Sequence, residues 1–94
     1  MTFVPKNDKE YKEWLNANPD AYVLTYDAPQ RRAAYPMLHH ASHKLIRSDE
    51  IDNYTMNEYR KVCSTKRGDL ERWAEENDPR ELKPCKNCQR KGLV

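Results

Sequence analysis

The sequence predicts an α+β fold: a small antiparallel sheet flanked by two amphipathic helices and pinned by a structural zinc site. Three observations lead there. Tyr11, Trp14 and Leu15, and later Leu70, Trp73 and Ala74, recur at the i, i+3, i+4 spacing of a helix with one apolar face. Between and after these stripes, Ala21–Tyr26, Ala33–Leu38 and Tyr59–Cys63 read as short strands. All three histidines lie in Leu38–His43, and two of the three cysteines lie in Pro84–Cys88. Cys85-x-x-Cys88 places two thiolates on one tight knuckle, where each can reach a single metal ion.

The first helix starts at Asn7-Asp8-Lys9-Glu10, with Asn7 as N-cap and Glu10 reaching back at the third position. Asn16 to Asp20, containing Pro19, stops it. Ala21-Tyr22-Val23-Leu24-Thr25-Tyr26 carries the densest β-branched and aromatic run of the chain. Asp27-Ala28-Pro29-Gln30 is a turn, and Ala33–Leu38 returns as a hairpin partner in which Pro36 marks an edge or a bend. A short helix through the histidines is expected to end near Arg47, and the polar, acidic stretch from Asp49 to Asn57 to be a loop. The second amphipathic helix is capped near Ser64, Thr65 or Asp69 and ended by Asn77-Asp78-Pro79. Leu82 leads into the cysteine knuckle.

A chain of 94 residues, 37% apolar and 34% charged, makes one domain (1–94, with 1–6 and 90–94 as flexible ends). So small a core leaves only a few kcal/mol of stability, and a staple is expected. Zinc binding, worth roughly 10 kcal/mol in finger-like sites, supplies one. Three cysteines cannot all pair within one chain, which disfavours a disulfide framework. There is no apolar run near the ~18 residues of a spanning helix and no secretory segment after Met1. A cytoplasmic protein with reduced cysteines and no membrane partner is therefore expected.

Two nitrogens and two sulfurs in tetrahedral array suit zinc. The expected ligands are His39, His43, Cys85 and Cys88, because a helix would put His39 and His43 on one face a turn apart. His40 has nearly the same spacing from His43 and stands as an alternate. Cys63 is a second alternate, although a lone cysteine at the end of an apolar strand is more often a small buried hydrophobe.

Charge is segregated. Residues 31–48 and 83–94 together hold eight basic residues and no acid, out of 17 basic and 15 acidic residues in all. The two basic segments are the ones that carry the expected ligands. A metal would gather Arg31, Arg32, Lys44, Lys86, Arg90 and Lys91 onto one surface suited to phosphates, with tyrosine available to stack on a base. A nucleic-acid partner, DNA ahead of RNA, follows from this reading. The alternative is a protein-interaction module, or an inhibitor of a nucleic-acid-processing enzyme. No small-molecule substrate is expected.

The order His39-x-x-x-His43, then a strand, an amphipathic helix and Lys83-Pro84-Cys85-x-x-Cys88, resembles the zinc-binding modules related to the N-terminal metal domain of Ada-type DNA repair proteins. The middle of the chain, Tyr59–Ser64 with Leu70 and Trp73, is also similar to small bacterial domains that accompany restriction-type nucleases. The resemblance spans residues 21–90 and implies a bacterial or phage setting in DNA processing or defence. His43 stands where that pattern usually has cysteine, and the half-sites are far apart. Methyl transfer of the Ada type uses an electron-rich thiolate cluster, whereas two thiolates and two imidazoles on Zn²⁺ are neutral overall. A closed site of four protein ligands also leaves no position for activated water. The expectation is thus a non-enzymatic module. Nucleases of the His-metal finger class need further metal-binding residues on a following helix, and no histidine occurs after His43.

Overall fold

In the computed structural model, residues 2–27, 35–42 and 59–94 are described. Helix α1 (Asp8–Ala17) opens with the Asn7 side chain accepting a 2.8 Å bond from the Glu10 N–H, as its sequence prescribes, while the Glu10 carboxylate takes the Lys6 N–H at 3.3 Å, one residue before the cap. It buries Tyr11 and Leu15 completely. Strand β1 (Tyr22–Asp27) follows, then β2 (Met37–His40), β3 (Tyr59–Ser64), α2 (Arg67–Asn77), the two-residue β4 (Lys83–Pro84) and the short α3 (Lys86–Arg90).

The four strands form one sheet in the order β3-β1-β2-β4. β1 is central and antiparallel to both neighbours, pairing Val23 with His39 on one side and with Cys63 on the other. β4 runs parallel to β2 and forms the edge. Because alternate residues point to opposite faces, Val23 and Cys63 pack with Tyr11 and Leu15 of α1. Leu24, Leu38 and Val62 pack with Leu70 and Ala74 of α2 on the other face. A helix on each face is why β1 reads as an almost unbroken apolar run.

Two expectations from the sequence change. The second strand is Met37–His40, beginning after Pro36; Ala33 and Ala34 lie outside the described residues, as does the stretch from Asp49 to Asn57. The helix expected through the histidines is not formed at His39 and His40, which pair with Val23 and Tyr22 instead, while Ala41 and Ser42 form a turn. Sheet pairing against an apolar central strand outweighs the local i, i+4 pattern that suggested a helix. At the N-terminus, where a loose arm is expected, Phe3 makes a two-bond bridge with Cys63 (2.7 and 2.8 Å) and stacks on Trp14.

The segment after α2 is held by a group that the sequence does not announce. Arg80 reaches Asp27 Oδ1 of β1 at 2.6 Å and Asp78 Oδ2 at 2.7 Å, and both carboxylates are fully buried. From there Lys83 N–H donates to Pro36 O (2.9 Å) and Cys85 N–H to Leu38 O (2.8 Å), bringing the knuckle alongside β2.

Candidate metal centre

Three groups from distant parts of the chain meet at the β2–β4 edge. The ligand atoms of His39, Cys85 and Cys88 lie within 4.8 Å of one another, and all three residues are buried. A buried imidazole and two thiols at this spacing can hold a metal ion.

Each element places its donor for an identifiable reason. His39 is fixed by its register against Val23, which puts it on the α1 face of the sheet. Cys85 sits at the last ladder bond of the β4 edge and is the N-cap of α3, its carbonyl accepting from Gln89 N–H at 2.9 Å. Cys88 lies one helical turn on. Helix α3 closes with Gly92 at φ +73°, its N–H donating to Gln89 O, while Leu93 N–H returns to Cys88 O. This is a Schellman closure, and it locks the short turn that carries Cys88.

The backbone N–H of His40 donates to Cys88 Sγ at 3.4 Å. Burial pushes the Cys88 thiol above its ordinary value; the His40 N–H works against this, and the nearby Cys85 reinforces it. Two buried thiols side by side give up their protons readily only to a cation, and a metal supplies that charge.

The alternates are accounted for by position. The His40 imidazole points elsewhere: its Nδ1 accepts from Ser42 N–H (3.2 Å), lies 2.7 Å from Ser42 Oγ, and its ring meets Tyr22 edge-on. Cys63 shares the α1 face with His39 but β1 runs between them, a separation of about 10 Å at two strand spacings. It is fully buried among Val23, Leu15 and Tyr11, and burial pushes its thiol up to about 12. His43 lies outside the described residues, as do Arg31, Arg32 and Lys44. Lys86, Arg90 and Lys91 are exposed on and just after α3, and none of the ion pairs among the described residues involves them. Among the described residues, no helix is long and apolar enough to cross a membrane.

No protein-family model matches this chain, nor does any curated protein or solved structure.

Proposed function

We propose that the chain is a non-enzymatic module, stapled by zinc, that binds nucleic acid through the basic surface around its metal centre. Zinc suits the donor set: thiolate and imidazole ligands favour it over hard cations, which prefer oxygen. His39, Cys85 and Cys88 supply three donors. His43, four residues past His39 and just beyond the turn at Ala41–Ser42, is within chain reach to supply the fourth. With four protein ligands the metal has no open position for water, so its role is to hold the fold.

The observation that carries the nucleic-acid reading is the position of Lys86, Arg90 and Lys91. They are exposed on and just after the short helix α3, whose N-cap Cys85 and whose Cys88 belong to the metal cluster. Arg31, Arg32 and Lys44 flank the histidine half of the same centre in sequence. The Ada-type likeness, carried in the sequence by His39, His43, Lys83-Pro84, Cys85 and Cys88, supports DNA as the polymer and DNA processing or defence as the setting.

The test is fluorescence anisotropy on mixed-sequence DNA and RNA over a salt series. Reversing Lys86, Arg90 and Lys91 to glutamate should reduce the slope of log affinity against log salt by roughly 0.7–0.9 for each phosphate no longer neutralised, without changing metal content. Reversing Lys9 and Lys12 on α1 should change little. If both sets behave alike, or the unaltered protein does not bind at low salt, the basic surface is only solvated and the interaction-module reading takes its place.

A further inference from the structure

A cavity of about 310 Å³ opens between α2 and the β4 edge. Its floor is apolar, from Leu38, Ala74, Leu82 and Pro84. Its rim carries the carboxylates of Glu71, Glu75 and Glu81. Of the two arginines at its margin, Arg80 is engaged by Asp27 and Asp78, while Arg67 pairs with Glu71 at 2.9 Å and offsets that carboxylate in part, so Glu75 and Glu81 carry most of the acidity. The groove is therefore apolar below and acidic above, a shape that accepts a long cationic side chain lying on its methylenes.

The complementary surface is two residues away. Pro84 lines the groove, and Lys86 begins α3. Lys86 and Arg90 are exposed one helical turn apart, as are Glu71 and Glu75 on α2, so both charge pairs repeat at about 5–6 Å. Adjacent patches of opposite charge and matched spacing are self-complementary across a two-fold axis. We propose that this groove docks α3 of a second copy, giving a reciprocal dimer in which each Lys86–Arg90 pair meets the other's Glu71–Glu75. Extension of the sheet is a poorer fit. Lys83 and Cys85 direct their N–H groups to β2, so the outward position falls to Pro84, which has no N–H to give.

This dimer goes beyond the nucleic-acid reading but uses Lys86 and Arg90 as that reading does, so the groove variant (Glu71→Lys with Glu75→Lys), which leaves both basic residues in place, is the one that tells the two apart. The experiment is sedimentation equilibrium of the metal-loaded full chain at about 0.1 M and about 1 M salt, where the screening length falls from about 10 to about 3 Å. Dimers are expected at the lower salt and monomers at the higher. Glu71→Lys with Glu75→Lys, or Lys86→Glu with Arg90→Glu, should each weaken self-association at least ten-fold. An equimolar mixture of the two variants should associate again, since each groove then faces an oppositely charged helix. The groove variant should still bind nucleic acid. Where a double variant loses its metal, Glu75→Lys and Arg90→Glu alone make the same comparison. A chain that is monomeric at the lower salt, association unmoved by either reversal, or a mixture that stays monomeric overturns the proposal.

Discussion

Arg80 Nη1 lies 2.6 Å from Asp27 Oδ1, and this contact fastens the segment that delivers Cys85 to the central strand of the sheet. The same guanidinium holds Asp78 at the end of α2 through Nη2 and Nε, which keeps the Asp78 carboxyl below its usual range. Removing it leaves two buried carboxylates without their cation. Arg80→Ala should cost about 3 kcal/mol in urea unfolding, toward the low end for broken buried pairs because Arg80 is itself 17% exposed. Arg80→Lys should recover only part of this, since a point charge cannot span both carboxylates. A loss under about 1 kcal/mol would mean that the pairs are solvent-screened and the segment is held by β4 alone.

Gly92 is the only described non-helical glycine with a left-handed backbone, at φ +73°, and nothing lies within 4 Å of where its Cβ would be. A side chain there meets no neighbour, so its cost is backbone strain alone. Gly92→Val should destabilise by about 1–2 kcal/mol, and Gly92→Asn by clearly less, because asparagine tolerates this region. Thermal unfolding of the three proteins checks the order; equal stability would remove the Schellman turn from the account of how Cys88 is held.

Much of the sheet and both long helices were legible because each rests on a local pattern. Asn7 to Glu10 signals a capping box, Tyr11, Trp14 and Leu15 one helical face, and Tyr22 to Tyr26 a central strand. Cys85-x-x-Cys88 was legible for the same reason, since its geometry is set within four residues. His39 was found but on the wrong element: four-residue spacing suggests a helix, and only pairing with Val23 makes it a strand. β4, the Arg80 clamp and the acidic groove were not legible. Each depends on which distant residues the topology brings together, and Lys83-Pro84 carries no strand signal of its own.

Lys61 gives a pH dependence of defined sign. It is buried beside Tyr11, its Nζ donates to Thr25 Oγ1 at 2.7 Å, and burial lowers its pKa from 10.5 to about 8, against weaker attraction from Cys63 and Asp8. Between those values the unfolded chain binds the proton that the folded chain has released, so stability attributable to Lys61 rises with pH across this window. Below pH 8 the folded protein bears the full cost of the buried charge. Lys61→Met should therefore be the more stable protein near pH 7, and its advantage should shrink by about 3 kcal/mol toward pH 10.5. Cys63, pushed up to about 12, acts oppositely above pH 9, and Lys61 tempers that rise, so the two proteins are compared in a Cys63→Ala background. A stability difference that does not change with pH would show that Lys61 is solvated in the native state.

The metal reading makes the most separable prediction. Purified protein should carry about one zinc per chain, and His39→Ala, Cys85→Ser and Cys88→Ser should each lose metal together with cooperative unfolding, because metal binding and folding are coupled. His43→Ala should behave the same way if His43 closes the tetrahedron. His40→Ala and Cys63→Ser provide the contrast. The His40 ring is directed to Ser42 and Tyr22, and the bond to Cys88 Sγ comes from its backbone N–H, which alanine keeps. Cys63 fills a site in the α1-face core, so serine there should cost stability by burying a hydroxyl while metal content stays near one. Cobalt substitution distinguishes the donor sets directly: thiolate-to-metal charge transfer should fall when Cys85 or Cys88 is replaced and remain when Cys63 is. Well-folded protein without metal would end the reading. Loss of metal in Cys63→Ser with retention in His39→Ala would move the centre across β1, against the register that places His39 and Cys63 on opposite sides of Val23.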